Sequence, residues 1–214
     1  MPLSRSSSIS NIVIPRLYPI IDASSFADTA ALIRFAEELL STGATLLQYR
    51  NKTGNPRLML EQAKLLKDLV GARAKLIMND RADLCLAAAF DGVHVGQDDL
   101  SPDAVREIIG PNLWLGLSTH NPQQLATADQ TQVDYLAIGP VFSTFSKDKP
   151  DPVVGLEGVR RARQLTHKPL VAIGGITRSN CREVIDSGAD SVAVISDLLS
   201  DPRKSAEEFF RVLR

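Results

Sequence analysis

The chain has 214 residues, of which 44% are hydrophobic and 23% charged, a balance that suits one soluble domain or a single small barrel. Its formal net charge of −1 argues against a broad cationic face for nucleic acid or an anionic membrane surface, so any cationic site must be local. No apolar run approaches the ~18–20 residues of a membrane span.

The chain opens on Met1-Pro2-Leu3-Ser4-Arg5-Ser6-Ser7-Ser8, which is Ser-rich and is followed by no signal-peptide apolar core. Residues 1–14 read as a loose tail and 15–214 as one folded domain. Eight short runs rich in Val, Ile and Leu then follow in order. They are Leu17–Ile21, Thr45–Gln48, Lys75–Met78, Gly92–Val95, Leu113–Leu117, Tyr135–Ile138, Leu170–Ile173 and Ser191–Ile195. None alternates cleanly, as expected of strands covered on both faces.

Helix signals separate these runs. Phe26–Ser41 carries Leu32, Phe35, Ala36, Leu39 and Leu40 as a helical stripe. Asn55-Pro56, Ser101-Pro102 and Asn121-Pro122 each place a capping side chain before a proline suited to the first helical position. Gly43, Gly71, Gly110 and Gly188 stand where helices end. Gly174-Gly175 follows the seventh run and leads to a helix opening at Thr177.

Eight strand–helix units predict a single (β/α)₈ TIM barrel. A doubly wound open sheet is the runner-up. It is disfavoured because Ile21-Asp22-Ala23-Ser24 stands where a glycine-rich dinucleotide turn would follow the first strand. Cys85 and Cys181 read as small buried packing residues, which fits a reducing cytoplasm. The three histidines show no metal-ligand spacing.

In a barrel, chemistry gathers at the carboxyl ends of the strands. Period-two geometry points Gln48 and Arg50 into the mouth and sends Tyr49 under a helix, with Lys52 opening the next loop. Arg offers phosphate a bidentate fork and Lys a mobile point charge. Asp80 follows Asn79 at the end of the third strand, and Asp99 lies four residues past the end of the adjacent fourth. Two carboxylates so placed repel unless a cation lies between them, and Mg²⁺ takes one or two carboxylates with phosphate oxygens and water. Asp98 suits a solvated or capping role.

Ser118-Thr119-His120 suggests a nucleophile and base, yet it lacks an orienting Asp and the usual Ser elbow, so Ser118 reads as a hydrogen-bonding group. His94, inside a strand, reads as packing or as acting through a neighbour. Thr144, Ser146 and Lys147 offer two hydroxyls and an ammonium on the irregular stretch Val141–Pro152, the longest in the chain. Backbone N–H groups near Gly175, Ile195 and Ser196 make the usual barrel phosphate cradle. Charge arithmetic fits a diphosphate: about −3 plus two carboxylates is met by Mg²⁺, Arg50, Lys52 and Lys147 at about +5.

These residues carry a resemblance. Leu47-Gln48-Tyr49-Arg50-Asn51-Lys52, Asn79-Asp80, His94-Val95-Gly96-Gln97-Asp98-Asp99, Gly116-Leu117-Ser118-Thr119-His120, Gly139 to Lys147 and Ile173-Gly174-Gly175-Ile176 resemble the thiamine-phosphate synthase family. The likeness runs from about Arg16 to the C-terminus, with the motifs in order at strand ends.

The resemblance implies a cytoplasmic transferase of thiamine biosynthesis that joins hydroxymethylpyrimidine diphosphate to thiazole phosphate, with diphosphate leaving first. It implies that Gln48, Tyr49, Arg50, Asn51, Lys52, Asn79, Ser118 and Lys147 contact the pyrimidine diphosphate. Of these, Arg50, Ser118 and Lys147 would carry catalysis. Asp80 and Asp99 would hold Mg²⁺, and Thr144, Phe145, Ser146, Gly175, Ile195 and Ser196 the thiazole phosphate. One departure stands out: Ser143-Thr144-Phe145-Ser146-Lys147 replaces the family's Pro-Thr-x-Thr-Lys. The expected partners are small phosphorylated molecules and neither nucleic acid nor membrane, with homo-oligomer formation left open. The alternatives are a thiazole tautomerase on the same barrel and a phosphate-ligand sensor without turnover.

Overall fold

Eight parallel strands pair in chain order and close on themselves in a computed structural model that describes residues 12–52, 54–144 and 151–214. The strands are β1 (Leu17–Asp22), β2 (Leu46–Arg50), β3 (Lys75–Asn79), β4 (Gly92–Val95), β5 (Trp114–Thr119), β6 (Tyr135–Ile138), β7 (Leu170–Ile173) and β8 (Ser191–Val194). The helices are α1 (Thr29–Ser41), α2 (Pro56–Val70), α3 (Ala82–Ala87), α4 (Pro102–Ile109), α5 (Pro122–Asp129), α6 (Gly155–Leu165), α7 (Cys181–Asp186) and α8 (Pro202–Val212). The expected barrel is therefore the observed one. Among the described residues, no helix is long and apolar enough to cross a membrane.

The strands are short and apolar because both faces are covered. Outward residues such as Leu47, Leu76, Val93, Leu115 and Leu136 join helix residues in one large core. Inward residues form a second cluster of Tyr18, Ile20, Leu46, Ile77, Tyr135, Ala137, Val171 and Ala193. The α1 stripe of Leu32, Phe35, Ala36, Leu39 and Leu40 is buried as its spacing requires. Each such Leu stabilises the fold by ~1.5–3 kcal/mol.

The prolines at 56, 102 and 122 do open helices. Asn55, Ser101 and Asn121 accept the N–H of Leu58, Ala104 and Gln124 at 2.8, 3.3 and 2.9 Å. Three expectations shift. The helix expected from Phe26 starts at Thr29, because Asp28 caps it by accepting the Ala31 N–H at 2.7 Å. The helix expected at Thr177 starts at Cys181, because Asn180 accepts the Thr177 N–H at 2.8 Å and holds residues 177–180 in a turn. The tail boundary at residue 14 falls inside packed chain, since Ile14 is buried with the inward cluster.

One device recurs at the floor of the barrel. Asp91, Asp134 and Asp190 immediately precede β4, β6 and β8. Each Oδ2 accepts the backbone N–H of a residue in the preceding strand: Leu76 at 2.9 Å, Leu115 at 2.7 Å and Leu170 at 2.8 Å. The same carboxylates pair with Lys67, Arg106 and Arg163 from α2, α4 and α6 at 3.1, 2.8 and 2.8 Å. Each carboxylate thus ties two strands and a helix. The matching position before β2 is Thr45, which supplies only its carbonyl, to the Lys75 N–H at 2.9 Å. The floor is fixed in this way, and the opposite ends of the strands are left to carry function.

Candidate active site

Gln48 and Arg50 share the inward face of β2 with Leu46, and Tyr49 points the other way. The parity expected from the sequence therefore holds. Arg50 Nη1 pairs with the Asp22 carboxylate at the end of β1. Asp22 is 4% exposed and also accepts the Ser24 N–H at 3.1 Å and the Ser24 hydroxyl at 2.7 Å. These bonds fix Asp22, and Asp22 in turn aims the Arg50 fork.

Tyr49 does not reach the mouth. It is fully buried, and its hydroxyl donates to Gln62 Oε1 of α2 at 2.5 Å. Asn51 is drawn the same way: its Nδ2 bonds Tyr49 and Gln62 at 3.2 and 3.3 Å, and its Oδ1 accepts the Gly54 N–H at 2.6 Å. Both side chains shape the turn that presents Lys52.

Asn79 lies on the inward face of β3 with Ile77 and is 9% exposed. Its Nδ2 is buried and has no hydrogen-bond partner among the described residues. An orphaned amide costs ~1–3 kcal/mol, a cost that an acceptor on a ligand at the mouth would remove.

Asp80 follows with φ at 63°, a left-handed backbone that turns its carboxylate off the strand line. It pairs with Lys52. Burial raises its pKa; Lys52 opposes that rise and the neighbouring Asp99 adds to it. The two predicted metal-binding carboxylates are thus brought together from β3 and the loop after β4. Asp99 Oδ2 accepts the Gly96 N–H at 2.7 Å, which closes that loop. Asp98 is exposed, as its solvated reading required.

Among the described residues, no group of three His, Cys, Asp or Glu side chains could enclose a metal. The pair suits Mg²⁺, which keeps several waters and completes its shell with substrate oxygens. The sum of charges changes, however. Asp22 adds a negative charge that the +5 to −5 balance omitted, and it sits on Arg50.

Ser118, next to last in β5, faces inward. Its hydroxyl lies 2.8 Å from His94 Nε2, and its carbonyl accepts Gln97 Nε2 at 2.6 Å. The histidine beside Ser118 is therefore His94 and not His120. His120 Nδ1 sits 2.6 Å from the Gly139 carbonyl oxygen, and its Nε2 is 3.5 Å from Asp151. Burial pushes the His94 pKa down to about 4, so the ring is neutral near pH 7.

Ser118 also borders a cleft of about 640 Å³, open part included, with Thr144, Gly174, Gly175, Ile195 and Ser196 on its wall. The backbone N–H groups of Gly175 and Ile176 have no acceptor among the described residues. Gly175 has φ at 64°, and a Cβ there would lie 2.6 Å from the Ser143 carbonyl oxygen and 2.8 Å from Phe142 Cβ. It is required by the neighbouring backbone as well as open to a ligand. Phe145, Ser146 and Lys147 lie outside the described residues.

Reading the sequence missed Asp22, Tyr18 and Tyr135. Asp22 stands at the end of a predicted strand and could have been found by the rule that picked Asp80. Inward parity along β1 and β6 would have marked the two tyrosines.

The family described as thiamine monophosphate synthase matches residues 17–198. A thiamine-phosphate synthase of Koribacter versatilis is 59% identical over 207 residues, covering 95% of this chain and 98% of its own. One of Chloroflexus aurantiacus is 43% identical over 196 residues, covering 90% and 89%. A thiamine phosphate pyrophosphorylase from Pyrococcus furiosus has the same fold with a TM-score of 0.83 at 35% identity, covering 92% of this chain and 95% of that one.

Proposed function

The chain belongs to the thiamine monophosphate synthase family, and from that premise we propose that it joins 4-amino-2-methyl-5-hydroxymethylpyrimidine diphosphate to 4-methyl-5-(2-phosphoethyl)thiazole. The products are thiamine phosphate and diphosphate. It is an enzyme with thiamine-phosphate synthase activity, a transferase. The observation that best supports these particular substrates is the buried Asn79 amide, without a partner among the described residues, together with Arg50, Lys52 and the Asp80–Asp99 pair. A charged diphosphate with its cation fits that set, and an uncharged ligand does not.

In this reading Arg50, Lys52 and Asn79 bind the pyrimidine diphosphate, and Ser118 bonds it from β5. Lys147 is assigned to the same group. Asp80 and Asp99 hold Mg²⁺, which when bound neutralises charge on the departing diphosphate. The thiazole phosphate lies across the mouth on the N–H groups near Gly175 and Ser196, with Thr144 beside it; Phe145 and Ser146 are assigned to that side.

Among the described residues His94, the ring beside Ser118, is a weak base, since burial holds it neutral. That favours a dissociative course. Diphosphate leaves, the pyrimidine methylene becomes cationic, and the thiazole nitrogen attacks it. The residues need only stabilise leaving charge and keep water out. The reaction takes place in the cytoplasm, which the two free buried thiols suit.

Purified protein given both substrates and Mg²⁺ should form thiamine phosphate. Removing Mg²⁺ with EDTA should stop turnover, and added Mg²⁺ should restore it. Undiminished turnover in EDTA refutes the metal assignment. Absence of product under any divalent cation refutes the reaction.

A further inference from the structure

Five side chains from five strands form a continuous hydrogen-bonded file across the barrel interior. Gln48 Nε2 donates to the Tyr18 hydroxyl at 2.9 Å. The Tyr18 and Tyr135 hydroxyls are 3.1 Å apart. Tyr135 lies 3.0 Å from His94 Nδ1, and His94 Nε2 lies 2.8 Å from Ser118 Oγ. The first four residues are buried, and Ser118 opens on the cleft. Gly116 makes the file possible, because a Cβ there would run into the Tyr135 ring and His94 Nδ1.

Each hydroxyl carries one proton, which limits how the file can be wired. With the Gln48 amide nitrogen on Tyr18, the Tyr18 proton must go to Tyr135. Otherwise a buried phenol O–H has no acceptor among the described residues, at a cost of ~1–3 kcal/mol. Tyr135 then gives its proton to His94 Nδ1. A neutral imidazole carries one N–H, so His94 must donate through Nε2 to Ser118 Oγ. The Ser118 proton is then left without a partner among the described residues.

We infer that the file from Gln48 through Tyr18, Tyr135 and His94 commits the Ser118 hydroxyl to donating into the mouth, so that Tyr18, Tyr135 and His94 are positioning residues acting through Ser118. The identity of what Ser118 meets, an acceptor atom of the diphosphate substrate, rests on the proposed reaction; the wiring does not. Burial supports a fixed direction, since it holds the His94 ring neutral. Turning the Gln48 amide over would reverse every link, and Ser118 would then donate to His94.

The direction can be read without turnover. The chain has three histidines, so ¹⁵N-histidine labelling with H94Q for assignment isolates the His94 ring by long-range ¹H–¹⁵N NMR near pH 7. The expected spectrum has the proton on Nε2 and a bare, hydrogen-bonded Nδ1. A proton on Nδ1, or a doubly protonated ring, overturns the inference even if the enzyme is active.

Kinetics test the coupling. Tyr135→Phe keeps the ring and removes one link; it should lower kcat about ten-fold with KM for both substrates within ~2-fold. In a Ser118→Ala background the same change should cost nothing further, because its effect passes through Ser118. An equal loss in both backgrounds, or no loss in the first, overturns the inference. Tyr18→Phe breaks the file one link earlier and should behave alike, which covers a Tyr135→Phe protein that fails to fold.

Discussion

Asp99→Asn separates charge from structure at the proposed metal pair. Asp99 does two things: its Oδ2 accepts the Gly96 N–H at 2.7 Å, and its charge raises the pKa of Asp80. Asparagine keeps an oxygen for Gly96 and removes the charge. Folding stability should therefore change by less than ~0.5 kcal/mol, the range of substitutions that leave structure intact. Asp99→Ala strands the Gly96 N–H and should cost about 1 kcal/mol, the low end for a lost acceptor because Gly96 is only half-buried.

Metal binding should respond differently. Losing an outer partner of a metal ligand costs ~10–100-fold in affinity or activity, so losing a ligand should cost at least about 100-fold. Asp98→Asn, at an exposed side chain, should stay within ~2-fold, as surface changes do. Urea unfolding gives the stabilities, and turnover against Mg²⁺ concentration gives the metal response. Equal losses in Asp98→Asn and Asp99→Asn, or an unchanged Mg²⁺ curve in the latter, refute the assignment.

Arg50→Ala should raise KM for the pyrimidine diphosphate well before that for the thiazole phosphate, and Thr144→Ala, which removes the hydroxyl placed beside the thiazole phosphate, should do the reverse; steady-state kinetics with each substrate varied in turn would refute the divided mouth if both variants act alike. Asp134→Ala leaves the Leu115 N–H without its acceptor and Arg106 without its partner carboxylate, which is 31% exposed, so it should lose about 2 kcal/mol. In a chain of this size that is about 4–8 °C of Tm. Asp134→Asn should lose about half as much, because an amide oxygen still accepts that N–H.

His94 titrates near 6.5 when unfolded and at about 4 when folded, so its burial stabilises nothing extra above pH 6.5 and costs stability as pH falls from 6.5 toward 4. The loss is about 3 kcal/mol by pH 4, read as the acid-limb difference in urea midpoints between the native chain and H94Q. Identical acid limbs would mean that the folded protein takes up a proton at His94.

The sequence by itself determined the barrel, the polar strand ends that gather at its mouth, and the side of each strand that faces the mouth. Those properties are local. Val, Ile and Leu runs between proline-opened, glycine-closed helices leave few topologies, and period two settles the facing of Gln48, Tyr49 and Arg50 once β2 is placed. Asp80 and Asp99 were legible because adjacent strands in a parallel barrel must set their ends side by side.

Only the tertiary structure decided the partners. Asp22 claims Arg50 from 28 residues away, Tyr135 reaches His94 across 41, and Ser118 takes His94 rather than the nearby His120. Spacing along the chain says nothing about such contacts, because closure of the barrel and the missing side chain at Gly116 create them. Tyr49 and Asn51 went to α2 for the same reason: a buried hydroxyl takes the acceptor that packing brings to it, and here that is Gln62.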